Sequence, residues 1–284
     1  MTNSYPPVPQ PEVQNTRFSV VIRVAFFVAL VIVSRFAVNV PLQVFGTVVA
    51  ATVGLYLAGI LANLFTMRVF DRRPLADIGL QVNWASGRNF GFGILMGGGA
   101  AALMLWAPLL AGTGHLVAKS DVQTNVPSLV FYLAALLFAA MGEELIFRGY
   151  AFQLLIRSSG PFATILPTSL IFGLMHSANP GASSLGIINT VAWGILLGWA
   201  VWRTGALWLP IGLHFGWNVM LPLLGSNLSG LTMGVTGYTL AWNVGVLWSG
   251  GSYGVEGSML TTAVVVALFA GLRKLIPQAG ATES

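Results

Sequence analysis

The sequence predicts an all-α protein, a polytopic bundle of about eight transmembrane helices. Of its 284 residues, 56% are hydrophobic and only 7% are charged, whereas about 25% of the residues in an average soluble domain are charged. Apolar runs recur from about residue 18 to residue 272 with short polar breaks, and most are long enough to span a bilayer. A single membrane domain is therefore simpler than one or two soluble domains.

Eight apolar runs define the predicted spans. They lie near residues 18–38, 42–66, 90–111, 127–156, 162–177, 185–202, 206–224 and 258–272. Residues 1–15 are rich in proline and polar residues, and we expect them to form a disordered cytoplasmic tail before a single transmembrane domain at residues 16–284. The first run lacks a small-residue cleavage pattern, which favours an uncleaved anchor over a secretory signal.

Basic residues are distributed unevenly between the two sides of the predicted bundle. One side carries Arg17, Arg68, Arg72, Arg73, Arg88, Arg157, Arg203, Arg273 and Lys274. The other side carries Arg35 and Lys119. The positive-inside rule then predicts a multi-pass protein of the plasma (inner) membrane with both termini cytoplasmic. The Gly-rich stretch 225–257 would be external, and we interpret it as a flexible connector rather than an interfacial cap.

Composition also excludes several classes of function. The chain has no cysteine, so disulfides, thiolate nucleophiles, iron–sulfur ligation and lipid attachment to cysteine are excluded. The basic residues lie at the edges of spans rather than in a patch, which argues against a nucleic-acid partner. The bilayer itself is the expected environment.

Span four contains an unusual cluster of charge, M-G-E-E-L-I-F-R at residues 141–148. Charged residues inside a span are candidates for function because burying them in lipid is costly. Glu144 and Arg148 are four residues apart and can pair on one helix face. Glu143 is rotated by about 100° from that face and has no obvious partner. A carboxylate held away from water suits general-base catalysis. The alternative is a charge cluster that locks the helix near the cytoplasmic interface.

Two of the three histidines lie within spans. His176 ends the run F-G-L-M-H of span five. In span seven His214 and Asn218 are four residues apart and point to one side, which suits an oxyanion clamp or a pair of metal ligands. The third histidine, His115, lies in a predicted external loop and we expect it to be solvated.

The candidate residues also share a depth in the membrane. At about 1.5 Å per helical residue, Glu143, His176 and His214 lie roughly 16–22 Å from the cytoplasmic ends of their spans. A hydrocarbon core is about 30 Å thick, so all three can lie near its middle. We therefore expect their side chains to face one cavity.

Three motifs, E-E-x-x-x-R, F-x-x-x-H and H-x-x-x-N, occur in this order between about Leu129 and Leu223. Together they resemble the CPBP family, the CAAX prenyl proteases and bacteriocin-processing enzymes, also called the Abi family. The resemblance implies an intramembrane endopeptidase with an eight-helix core, a protease core at about residues 127–224 and a site open toward the cytoplasm. Its substrate would be a membrane-associated peptide or protein.

The resemblance also implies roles for individual residues. Glu143 would be the general base that activates water. Five residues would assist it: Glu144 and Arg148 as a supporting pair, His176 in holding the water, and His214 with Asn218 in stabilising the oxyanion.

The sequence leaves the metal question open. We favour a mechanism that requires no cofactor, because the adjacent glutamates lack the H-E-x-x-H spacing of a zinc protease. Zinc remains possible, and its ligands would then be Glu143, His176 and His214.

Two other classes of function compete with the protease. One is a non-catalytic membrane partner or bacteriocin-immunity protein that keeps the motifs for packing and binding. The other is a proton-coupled transporter, since Glu and His chains also relay protons. The polar residues are confined to spans four, five and seven and we detect no inverted repeat, which disfavours a transporter.

Overall fold

The chain is mostly helical where the structure describes it. The computed structural model describes residues 17–119 and 125–276, and the tail predicted at residues 1–15 lies outside them. The helices and strands are, in chain order, α1 (Arg17–Leu42), α2 (Thr47–Phe70), α3 (Trp84–Leu110), β1 (Gly114–Ala118), α4 (Val126–Arg148), α5 (Tyr150–Ser159), α6 (Pro161–Met175), α7 (Ser184–Thr204), α8 (Trp208–Leu223), β2 (Tyr238–Trp242), α9 (Val246–Ser249) and α10 (Met259–Leu275).

Six stretches of the described chain are long and apolar enough to cross a membrane. They are Arg17–Phe45, Thr47–Phe70, Trp84–Leu110, Val126–Ser159, Pro161–Ala178 and Ser184–Thr204. The predicted fold class, a helical bundle of a multi-pass membrane protein, is confirmed. The spans predicted at 206–224 and 258–272 correspond to α8 and α10, which have 16 and 17 residues. Neither helix is among the six stretches that are long and apolar enough to cross a membrane, so the count of eight remains a prediction.

Glycines bring α3 and α8 into backbone contact. Gly93 and Gly97 on α3 lie against the backbone of α8, and Gly212 on α8 lies against the backbone of α3. A methyl group at any of the three would collide with the facing helix. The pair Gly93 and Gly97 thus has the packing role that small residues have between membrane helices, and it fixes the helix that carries His214.

Span four is not the continuous helix that the sequence predicted. It breaks at Gly149, between α4 and α5. The buried side chain of Asn63, on α2, serves both sides of the break: it donates to the Leu145 carbonyl (2.9 Å) and accepts from the Tyr150 N–H (2.7 Å). A side chain at position 149 would collide with Asn63. The break is therefore built by a contact with α2 that the local sequence does not reveal.

Residues 225–257 form a folded cap and not the flexible connector that the sequence suggested. Within this cap, β2 pairs antiparallel with β1 in the register from Gly114↔Trp242 to Ala118↔Tyr238. Tyr253 and Val255 are completely buried. Glycines at positive φ, such as Gly230 and Gly254, make the tight turns of the cap. The interpretation as a connector was wrong because a turn-rich fold and a flexible linker have the same glycine-rich composition.

Candidate active site

Glu144 and Arg148 form the ion pair that their spacing predicted. Arg148 Nη1 lies 3.1 Å from Glu144 Oε1, and the side chains are 2% and 0% exposed. The guanidinium also donates to the Gly194 carbonyl on α7 at 3.3 Å and lies 4.5 Å from the centre of the Phe172 ring. Charge, hydrogen bonding and aromatic contact thus compensate the burial of Arg148.

His214 is held by the same carboxylate. Its Nδ1 lies 2.8 Å from Glu144 Oε1. Because an ionised carboxylate only accepts, Nδ1 carries the proton and donates it to Glu144. This hydrogen bond turns the other ring nitrogen, Nε2, toward Glu143, whose Oε2 is 3.7 Å away. The sequence analysis gave Glu144 only one partner, Arg148, and missed this second one.

His176 begins a short helical turn at the end of α6. Its Nδ1 lies 2.7 Å from the Phe172 carbonyl, which can only accept, so this nitrogen also carries a proton. The opposite nitrogen, Nε2, lies 4.0 Å from Glu143 Oε2. The Phe172 ring packs beside both imidazoles. Two histidines from different helices are therefore oriented toward one carboxylate.

Glu143 lies where the two imidazoles converge. Within residues 17–119 and 125–276, its Oε2 is buried without a hydrogen-bond partner. The distances of 3.7 and 4.0 Å to the Nε2 atoms of His214 and His176 exceed a direct hydrogen bond. Such separations suit a bridging water. The group can therefore hold a water molecule and take a proton from it.

A cavity of about 560 Å³ contains this group. Glu143, His176, His214 and Asn218 all line it. Glu144 and Arg148 do not line it. Glu144 contacts the lining residue His214, and Arg148 contacts Glu144. Most of the lining is apolar, and the volume is that of a typical small-molecule or peptide pocket.

Glu256 is a second carboxylate that lines the cavity, and the sequence analysis missed it. It lies in the cap and accepts hydrogen bonds from the Trp217 indole N–H (3.1 Å), the Ser229 hydroxyl (3.1 Å) and the Ser229 backbone N–H. Burial raises the pKa of Glu256, and the hydrogen bonds from Trp217 and Ser229 oppose this rise. Its sequence signal is that it is the only acidic residue of the stretch 225–257.

His115 lies on β1, is exposed as expected and does not line the cavity. In the described part of the chain, no group of three or more His, Cys, Asp or Glu residues has the arrangement of a metal site. Zinc bound by Glu143, His176 and His214 stays an untested alternative.

Residues 125–220 match the type II CAAX prenyl endopeptidase Rce1-like family. The resemblance inferred from the three motifs is confirmed over this Rce1-like segment, which contains all six candidate residues. No curated protein matches the chain. The match indicates a membrane-bound protease of the CAAX type, while Glu256 and the cap lie outside the Rce1-like segment.

Proposed function

We propose that this protein is an intramembrane endopeptidase in which Glu143 activates a water molecule. The observation that carries the proposal is the convergence of two imidazole Nε2 atoms on one unpartnered carboxylate oxygen, that of Glu143, inside an apolar cavity. The match of the Rce1-like segment supports the class of reaction. The substrate is a membrane-associated peptide or protein, and the position of the basic residues at the edges of the spans argues against a nucleic-acid partner.

The first step is attack of water on a peptide carbonyl. The water lies between Glu143 and the unprotonated Nε2 of His176 and gives one proton to Glu143. Its oxygen bonds to the carbonyl carbon, and the carbonyl oxygen becomes an oxyanion. When the carbon–nitrogen bond breaks, Glu143 returns the proton to the departing amine. One water is consumed, and the products are a carboxyl group and an amine.

The oxyanion is stabilised by His214 and Asn218. The imidazolium form of His214 offers an Nε2–H while its Nδ1–H is bound to Glu144. Asn218 lies one turn further along α8, on the same cavity wall, and offers its amide N–H groups. Removing one such donor from a protease costs about 100-fold to 1,000-fold in rate. Glu144 and Arg148 act on the reaction through the position of His214.

The competing function is a non-catalytic membrane partner or immunity protein that keeps the fold. It predicts that the cavity residues stabilise or bind without cleaving anything. Membrane proteomes of cells that carry the wild-type protein or Glu143→Gln separate the two functions. Cleavage termini that are present with the wild-type protein and missing with Glu143→Gln support the protease. Identical sets of termini in the two membrane proteomes favour the partner protein. His115→Gln is a suitable control because His115 lies outside the cavity.

A further inference from the structure

The cavity reaches one face of the bundle. We call this the cap face; it holds the cap, the α1–α2 turn at residues 43–46 and the α6–α7 connection at residues 176–183. The opposite, basic face holds the α2–α3 connection at residues 71–83 and the α7–α8 connection at residues 205–207. From the cap face the cavity is lined by Asn179, Leu228, Ser229, Leu231, Met233 and Glu256. In the part of the chain that is described, neither connection of the basic face contributes to the lining.

A packed layer separates the site from the basic face. Leu207 and Ile211, at the start of α8, are completely buried in one apolar cluster. The Leu207 N–H donates to the Gly79 carbonyl at 3.1 Å, and the Gln153 side chain donates to the Ile78 carbonyl at 2.9 Å. These bonds hold the α2–α3 connection against α8 and α5. Water and substrate therefore reach the site from the cap face.

Charge identifies the side of the membrane that each face contacts. The basic face and the helix ends next to it carry Arg17, Arg68, Arg72, Arg73, Arg88, Arg157, Arg203, Arg273 and Lys274. On the other side, Lys119 follows β1 and bonds to the cap through its backbone N–H, and Arg35 lies in the half of α1 nearer the cap face. The positive-inside rule makes the basic face cytoplasmic.

We infer that the cavity opens to the extracytoplasmic side of the membrane and takes an apolar polypeptide segment from that side. The nature of the ligand rests on the proposed protease function, but the side of the opening does not. The resemblance implied a site open toward the cytoplasm. Given where the cavity lies, a cytoplasmic opening and cytoplasmic termini are incompatible, and the charges of this chain favour cytoplasmic termini.

The residues that line the cavity also indicate the route by which such a segment enters it. Ile32 and Phe36 on α1 and Met175 on α6 line the cavity and are 52%, 72% and 65% exposed. Large apolar side chains that remain this exposed at a cavity suit a lateral opening to lipid. The backbone of a helix in lipid is fully hydrogen-bonded, so the carbonyl to be attacked must come from an extended stretch. The ligand is thus an extended apolar stretch of a polypeptide anchored in the outer leaflet.

Single cysteines test the side of the opening, because the chain contains no other cysteine. Leu231→Cys places a thiol at the rim of the cavity, where Leu231 is 53% exposed. Ser158→Cys places one near the basic face, at the end of α5, where Ser158 is also exposed. Both full-length variants are treated with a membrane-impermeant maleimide in right-side-out and in inverted vesicles. We expect labelling of Leu231→Cys only in right-side-out vesicles and of Ser158→Cys only in inverted ones.

The reverse pattern would overturn the inference, and labelling of both positions from one side would overturn it as well. Cleavage by each variant is then compared before and after labelling. A bulky maleimide on Leu231→Cys should abolish cleavage, and the same reagent on Ser158→Cys should not; equal cleavage by both would show that the rim is not the route to the site. Labelling requires no catalysis, so the side of the opening is measured even if the chain proves not to be a protease.

Discussion

His214 Nδ1 lies 2.8 Å from Oε1 of Glu144, the same oxygen that accepts a hydrogen bond from Arg148 at 3.1 Å. One buried carboxylate therefore neutralises an arginine on its own helix and orients an imidazole on α8. Glu143, the preceding residue, neither pairs with Arg148 nor holds the His214 Nδ1 atom, and its side chain lines the cavity. Replacement of Glu143 should therefore affect mainly the cleavage rate, and replacement of Glu144 should affect mainly the stability of the fold.

Replacement of Glu143 by glutamine should abolish proteolysis and leave the folded protein intact. The amide keeps the shape of the side chain, lacks the basicity needed to deprotonate water and carries no charge to bury. Cleavage rate and melting temperature in detergent are measured together. Asp77→Asn is the matched control, since Asp77 pairs with Arg73 at 3.3 Å away from the cavity. Near wild-type cleavage by Glu143→Gln would show that the glutamate mechanism is wrong.

Replacement of Glu144 by glutamine should destabilise the fold and misplace His214. It leaves the buried Arg148 without its countercharge, which costs about 3–5 kcal/mol in a buried pair. The double variant Glu144→Gln with Arg148→Met should recover part of this loss while cleavage stays low. Melting temperatures in detergent of both variants and of Arg148→Met alone test the coupling. Strictly additive effects would mean that the pair does not contribute through its interaction.

Replacement of His176 by glutamine should slow cleavage by about 100-fold or more, as expected for a group that positions the reacting water. The side chain lies at a helix end and is partly exposed, so the melting temperature should change little. His115→Gln removes an imidazole from β1 outside the cavity and should leave the rate unchanged. Equal rates for the two variants would remove His176 from the proposed site.

Glu256 should make the stability of the cap depend on pH. Burial raises its pKa above the ordinary value of 4.5, so its contribution to stability is complete below that value and is lost as pH rises through the raised pKa. Glu256→Gln removes this titration. Between about pH 4 and neutrality, the melting temperature of the wild type should fall relative to that of the variant. A constant difference across this range would contradict the raised pKa.

Alanine at Gly149 should destabilise the protein, because its methyl group would collide with Asn63 and the Leu145 carbonyl. Overpacking of this kind typically costs about 1–3 kcal/mol. Gly87→Ala is the control: Gly87 lies in α3, is exposed and has open space where the methyl group would be. That change should be neutral or stabilise by up to about 1 kcal/mol. The contrast in melting temperature tests whether the break in span four is a built feature.

Local patterns were sufficient for the helices and for part of the site. Apolar runs predicted the spans, and the four-residue spacing of Glu144 and Arg148 predicted their pair. Features that depend on distant contacts were missed: the break at Gly149 needs Asn63 on another helix, and the bond between Glu144 and His214 joins α4 to α8. The position of Glu256 depends on its hydrogen bonds to Trp217 on α8 and to Ser229, which no local pattern of the glycine-rich cap reveals.

The glycine contact between α3 and α8 has a consequence for how the protein is made. During synthesis α3 is inserted into the membrane well before α8, so the docking surface for α8 already exists when His214 emerges. The Rce1-like segment alone lacks both α3 and Asn63, and we expect it to insert without assembling its polar centre. Proteolytic activity would then arise late in biogenesis, after α8 has packed against α3, which is inserted earlier.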